Sequence, residues 1–259
     1  MDKLDILVIG GGGREHAIIR KLKDSPRCGN IYAAPGNGGI SRDAECFPVA
    51  ASDVAGMVAL AQRLGVGLAV VAPDDPLVAG MVDALEDAGI PAFGPRANAA
   101  IIEGSKVFSK HLMKKYGIPT AAYEVFDRPE DALAHIRRKN TYPAVVKADG
   151  LALGKGVILC ADYTEARAAV KSIMQDRVFG VSGRRVVVEE FLTGPEVSVL
   201  AFTDGKTVRP MVSARDHKRV FDGDMGPNTG GMGTISPNPV YDDRTAALCM
   251  ETIFQPTVE

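Results

Sequence analysis

The chain reads as two domains of different class, an α/β domain with a parallel sheet over residues 1–104 and an α+β domain over 105–259. Three observations predict this. Short apolar runs alternate with helix-length stretches as far as Gly104, a pattern that calls for parallel strands joined by crossover helices. Beyond Gly104 strand-like runs crowd together, with few helices between them. Glycine- and proline-rich loops close the N-terminal strands, where an open parallel sheet collects its ligands.

Residues 4–10 form a buried-type strand, and the glycines at 11–13 turn the chain into a helix from near Arg14. Residues 31–34 are a second strand with 35–39 as its exit loop. Asp53 caps a helix that runs to about Leu64. Residues 68–72 are a third strand with exit loop 73–76, followed by a helix over 77–88 and a short strand at 91–93. Ser105 caps a helix over 106–116, which Gly117 ends. Strands are expected near 121–126, 143–147, 157–161, 185–190, 196–202 and 206–212, with helices near 129–139 and 164–175. A glycine-rich polar loop is expected from 216 to 237. The stretch 242–258 reads as helical in its first part only.

With 46% hydrophobic residues in 259, the chain can bury a substantial core. Its 30 basic and 32 acidic residues give a net charge of -2, which favours neither a nucleic-acid partner nor a membrane surface. The apolar run at 6–9 is too short for a signal peptide or a membrane span. The four scattered cysteines contain no Cys-x-x-Cys pair and read as reduced thiols of a cytoplasmic protein. The four histidines have no metal-ligand spacing, and no Gly-x-Ser-x-Gly elbow suggests a nucleophilic serine.

The strongest chemical signal is the run Val-Val-Lys-Ala-Asp-Gly-Leu-Ala-Leu-Gly-Lys-Gly-Val-Ile at 145–158. Its glycines let backbone amides face an anion, and its lysines supply compact positive charge for phosphate oxygens. It is not a P-loop. Three residues separate Gly150 from Gly154, Gly156 follows Lys155, and a strand comes next where a P-loop opens a helix. A strand–glycine loop–strand unit can instead fold over phosphates as a flap.

The cluster Gly-Gly-Gly-Gly-Arg-Glu-His at 10–16 follows a strand and opens a helix, which aims amides and a positive helix end at an anion. It does not fit NAD or FAD. Glu15 stands where the last glycine of the dinucleotide fingerprint belongs, and no acidic residue ends the second strand to hold a ribose. A phosphate on a smaller substrate remains, with loops 10–14, 35–39 and 73–77 converging on it. Further along, Glu189 and Glu190 end a strand and, taken alone, read as a solvated strand end. Asp216, His217, Lys218 and Arg219 precede a long backbone cradle at 226–233.

Taken together these motifs closely resemble the phosphoribosylamine–glycine ligases (glycinamide ribonucleotide synthetases), ATP-grasp enzymes of purine biosynthesis. The resemblance rests on Gly-Gly-Arg-Glu-His-Ala (12–17), Ala-Pro-Gly-Asn (34–37), Phe-Gly-Pro (93–95), Glu-Gly-Ser-Lys (103–106), the 146–157 run, Glu-Glu-Phe-Leu (189–192), Asp-His-Lys-Arg (216–219) and Gly-Pro-Asn-Thr-Gly-Gly-Met-Gly (226–233). It implies a Rossmann-like, pre-ATP-grasp N-terminal domain and an ATP-grasp domain whose residues 121–190 form the smaller lid. It implies ATP with magnesium or manganese, and glycine and 5-phosphoribosylamine as substrates joined through glycyl phosphate. A cytoplasmic monomer is expected.

By the same resemblance Lys106 and Lys147 would meet ATP phosphates beneath a flap at 150–156 that includes Gly154, Lys155 and Gly156. Glu189 and the Leu192 backbone would meet adenine, and Glu196 the ribose. Gly12, Gly13, Asn37, Gly38 and Asp74 would hold phosphoribosylamine. Asp74 is a shorter acid than the family's glutamate there. Lys147, Asp216 and Lys218 would be catalytic, with Pro227, Asn228, Thr229, Gly230 and Gly231 lining the meeting point of the substrates. Family members continue past the equivalent of Glu259, and their Glu and Asn metal ligands lie in that part. No metal ligand is therefore expected within this chain, which is expected to be a fragment or truncated form with weak or absent turnover. The alternatives are an ATP-binding fragment without turnover and another ATP-grasp carboxylate–amine ligase.

Overall fold

The computed structural model describes residues 3–152 and 156–259, the side chains of Pro227, Asn228 and Gly230 excepted. Backbone contacts divide the chain into two compact units, Met1–Ser105 and Lys106–Glu259.

In the first unit β1 (Leu4–Gly10), β2 (Cys28–Pro35), β3 (Glu45–Cys46), β4 (Leu68–Val71) and β5 (Ala92–Phe93) form one parallel sheet in the order β3-β2-β1-β4-β5. Strand alternation sends Leu7 and Ile9 of β1 to one face and Ile6 and Val8 to the other. The first face packs on Met57 and Leu60 of α2 (Val54–Leu64) and on Met81 and Leu85 of α4 (Met81–Asp87). The second packs on Ile19 of α1 (Gly13–Leu22). Burial on both faces is why β1 reads as a nearly continuous apolar run. The strand order reverses beside β1, so the carboxyl ends of β1 and β4 flank the crevice in which such sheets bind ligands.

Two expectations change here. The helix expected over 77–88 is broken into α3 (Asp74–Val78) and α4, because Gly80 sits at φ 87, a left-handed conformation that cannot continue a helix. The loop expected at 73–76 accordingly becomes the start of α3. The short strand β3 and the helix α5 (Ala97–Gly104) were not anticipated, β3 being too short to carry a pattern.

Asp43 ties α1 to the segment after β2. It accepts from Lys23 Nζ at 2.7 Å and lies 2.9 Å from His16 Nε2. The hydrogen bonds from Lys23 and then His16 hold its carboxyl down at about 2, against an ordinary 3.8. Its contribution to stability is therefore complete above pH 3.8 and is lost as pH falls toward about 2. Acid titration of unfolding is expected to show that loss, and Asp43→Asn to flatten it. Equal acid sensitivity in the two proteins would contradict it.

In the second unit, α6 (Lys106–Tyr116) leads into an antiparallel sheet of order β6-β9-β7-β8, made of Tyr123–Phe126, Val186–Glu190, Ala144–Ala148 and Val157–Cys160. Helices α7 (Pro129–Lys139) and α8 (Tyr163–Val170) cover one face. There Val146, Ala148, Val186 and Val188 pack on Ala132, Ile136, Ala166 and Val170. The alternate residues Val145, Lys147, Val187 and Glu189 share the opposite face.

Three expectations are corrected in this unit. The strands expected at 196–202 and 206–212 shrink to β10 (Ala201–Thr203) and β11 (Val208–Pro210), with Ser198 bridging Ala214. The loop expected over 216–237 is a two-stranded hairpin, β12 (Arg215–Phe221) with β13 (Met225–Ile235). Its register shifts between His217 and Arg219 and between Arg219 and Phe221, and these irregularities let a glycine-rich strand pair. The terminal segment is helical to Val258, through α9 (Asp243–Cys249), a wide turn at Met250–Phe254 and α10 (Gln255–Val258). Asp242 starts it by accepting from the Thr245 amide at 2.8 Å, and Pro256 falls in the first turn of α10, where its missing N–H costs nothing. Among the described residues no helix is long and apolar enough to cross a membrane.

Candidate functional site

The first unit gathers three strand-end loops. A Cβ on Gly11 would stand 2.6 Å from the Gly36 carbonyl oxygen, and one on Gly10 would stand 3.0 Å from Pro73. The exits of β1, β2 and β4 therefore meet, and only glycine permits the contact at Gly11. Asn37 ties two of them together. Its Nδ2 donates to the Gly11 carbonyl at 2.8 Å, and its Oδ1 accepts from the amides of Gly39 and Ile40 at 2.7 and 2.9 Å. The Gly12 amide donates to Glu15 Oε2 at 2.5 Å. Asn37 and Gly12 thus build the loop with groups that a ligand would otherwise use. Gly13 and Gly38 have open space where a side chain would be. Asp74 begins α3, beside this cluster. Asn37→Ala removes all three bonds from an exposed loop and is expected to cost about 1 kcal/mol, read by urea unfolding. A change under a few tenths would contradict the strut.

In the second unit, Lys147 Nζ donates to Glu189 Oε2 at 2.7 Å. The contact follows from register. Lys147 pairs with Val187 and Val145 with Glu189, which makes Lys147 and Glu189 diagonal neighbours on the face that α7 and α8 leave uncovered. Glu189 is 6% exposed, so the solvated strand end expected for it is corrected: its carboxylate points inward. Glu190 does lie at the surface, where it accepts from the Ala122 amide at 2.9 Å. On β8, Val157 and Leu159 pair with Lys147 and Val145 and leave 40% of each exposed, an apolar strip beside the charges. Lys147 and Val157 are the last pair before the flap. Gly154 and Lys155, expected in that flap, lie outside the described residues.

The start of the segment expected to form the flap is held from several sides. Lys106 Nζ donates to the Gly150 carbonyl at 2.7 Å, and Ser182 Oγ donates to the Leu151 carbonyl at 3.0 Å. Asp149 accepts from the Val107 amide at 3.1 Å, and from Arg185 Nε and Nη2 at 3.0 and 2.5 Å. At the other end of that segment the Gly156 carbonyl accepts from the Ala148 amide at 2.8 Å.

The hairpin brings a third group together. Lys218 is ion-paired to Glu196 and stands 3.7 Å from Asp216. The hydrogen bond to Glu196 raises the Lys218 pKa, against a smaller opposing effect of burial. Thr229 Oγ1 donates to the Lys218 carbonyl at 2.8 Å. A Cβ on Gly231 would stand 3.0 Å from Asp216 Oδ1. Asn238 is buried and anchors Glu196 by donating to its carbonyl at 2.9 Å. Leu192 is 64% exposed. The side chains of Pro227, Asn228 and Gly230 lie outside the described residues.

Sequence reasoning missed Lys110, Arg185 and Asn238. A signal existed for Lys110, since it lies four residues after Lys106 on one helix and so on the same side. Arg185 and Asn238 stand outside any motif, and only the fold reaches them. Among the described residues no group of three His, Cys, Asp or Glu side chains is gathered to hold a metal ion.

Comparison with known proteins matches two family models along the chain. The family model described as phosphoribosylglycinamide synthetase, N domain, matches residues 4–103, and that for its ATP-grasp (A) domain matches 104–259. A phosphoribosylamine–glycine ligase of Allochromatium vinosum is 49% identical over 257 residues, covering 98% of this chain and 60% of that protein. One of Xanthomonas axonopodis pv. citri is 50% identical over 258 residues, covering 99% and 60%. The crystal structure of phosphoribosylamine–glycine ligase from Thermotoga maritima superposes with a TM-score of 0.81 at 34% identity, covering 98% of this chain and 60% of that one. The chain spans about 60% of the length of the relatives it matches.

Proposed function

The chain belongs to the phosphoribosylglycinamide synthetase family, and on that premise we propose that it serves the ATP-dependent joining of glycine to 5-phosphoribosylamine, giving glycinamide ribonucleotide, ADP and phosphate. The observation that carries this reading is the placement of Lys147 and Lys106 together at the entry of one glycine-rich segment. Lys147 sits on the last strand pair before the flap, and Lys106 bonds to its first glycine. Two ammonium groups at the rim of a backbone loop suit the phosphates of a nucleotide. The strip of Val157 and Leu159 beside them suits the flat apolar base, with Glu189 and Leu192 marking the adenine end and Glu196 the ribose.

In this reading ATP's terminal phosphoryl group passes to the glycine carboxylate, and the amine of phosphoribosylamine then displaces phosphate from the acyl phosphate. The chain's task is positioning and charge neutralisation. Residues 121–190 act as a lid, and the flap at 150–156 keeps water from the acyl phosphate. Lys218, with Asp216 and Glu196 beside it, meets the transferring phosphoryl group. Gly13 and Gly38 face the phosphate of phosphoribosylamine across open space, while Asn37 and Gly12 shape that pocket. A divalent cation would supply further neutralisation of the phosphate charge in such chemistry.

The test is product formation from magnesium-ATP, glycine and freshly made phosphoribosylamine, each omitted in turn. Glycinamide ribonucleotide from the complete mixture alone supports the ligase reading. Nucleotide binding without product supports a chain that recognises ATP without turning it over. Phosphate release that needs a different carboxylate and amine in place of glycine and phosphoribosylamine would point to another carboxylate–amine ligase.

A further inference from the structure

Lys110 is the one lysine or arginine among the described residues that is buried, at 8% exposure, and the reaction as proposed gives it no task. Its ammonium lies 3.2 Å from Glu189 Oε1, donates to Thr120 Oγ1 at 2.7 Å and sits 5.5 Å from the centre of the Tyr123 ring. Glu189 offers its other oxygen, Oε2, to Lys147 at 2.7 Å. One buried carboxylate is thus gripped by two ammonium groups, one from α6 and one from β7.

The two cations are not equivalent. The Lys147 side chain is 25% exposed, whereas those of Lys110 and Glu189 are 9% and 4% exposed. Lys147 can turn outward; Lys110, wedged between a carboxylate, a hydroxyl and an aromatic face, cannot do so without losing all three. A buried carboxylate stripped of its compensating charge is strongly destabilised. With Glu189 paired to Lys147 alone, any anion recruiting Lys147 would have to overcome that penalty. With Lys110 on the opposite oxygen, Glu189 stays compensated while Lys147 moves.

We propose that Lys110 is a positioning residue that frees Lys147 for the nucleotide's phosphates by holding the charge of Glu189 from its other oxygen. This rests on the reading of Lys147 as a phosphate ligand.

The test separates phosphate recognition from the rest of the site. ATP and adenosine affinities are measured by NMR titration for the unaltered chain, Lys110→Met and Lys110→Arg. Lys110→Met is expected to weaken ATP about tenfold with adenosine changed less than about twofold, and Lys110→Arg, which keeps the charge, to restore ATP to within about threefold. A purely structural lysine would weaken both ligands together, and that result would overturn the proposal. Thr120→Val removes only the second partner of Lys110 and serves should Lys110→Met fold poorly. It is expected to lose ATP affinity selectively as well, and equal losses for ATP and adenosine would count against the proposal. An unaltered chain that binds no ATP would defeat the reading of the site and this inference with it. ATP binding that Lys110→Met leaves intact would defeat the inference alone.

Discussion

Lys147→Ala is expected to weaken ATP binding about a hundredfold, close to 2.7 kcal/mol, because it removes an ammonium that only a desolvated phosphate site can use fully. The sequence alone suggests that such a substitution leaves the fold untouched. The structure revises this, since Lys147 also carries half the compensation of the buried Glu189. A loss of about 1 kcal/mol in unfolding free energy is therefore expected alongside the binding defect, held to that size by Lys110 on the other oxygen. Calorimetric titration with ATP and urea unfolding read the two effects separately. An unchanged ATP affinity beside lowered stability would make Lys147 a structural residue.

Asp149→Ala is expected to have the larger effect on stability, about 3 kcal/mol, because one carboxylate at 9% exposure serves three donors. Its loss uncaps the first turn of α6 at Val107 and leaves the Arg185 guanidinium without the one oxygen, Oδ2, to which its Nε and Nη2 both donate. It also frees the backbone from which the flap springs. Asp149→Asn keeps the shape and one acceptor, and is expected to recover about half of the loss. Urea unfolding measures the cost, and hydrogen exchange at the Val107 amide locates it. A loss below about 1 kcal/mol, or a Val107 amide that stays protected, would place the anchor of the flap elsewhere.

The parts of the site legible in the sequence were those in which local chemistry and local structure coincide. A run of apolar residues ending in a lysine, then glycines, then another apolar run can only be two strands and a turn, and β7 and β8 bear that out around Lys147 and Val157. The 10–13 glycines after an apolar strand likewise led to β1 and α1. The hairpin at 215–235 was not legible, because glycine, proline and asparagine signal a loop unless a partner strand supplies the hydrogen bonds, and that partner is β12. The break at Gly80 was missed for the opposite reason: the residues on either side are good helix formers, and one glycine is tolerated in many helices.

By itself the sequence determined the two classes of domain, the succession of most main strands along the chain, the family resemblance and the loops that hold glycines and lysines. Those follow from side-chain periodicity and from residue types that serve few other purposes. Only the tertiary structure decided which charges meet. Lys110 with Glu189, Arg185 with Asp149, and Lys218 with Glu196 are separated along the chain by many residues. Their pairing depends on strand register and on which sheet face the helices cover. A carboxylate's surroundings are set by that packing, so Glu189, solvent-facing on the page, becomes the buried centre of the lysine cluster.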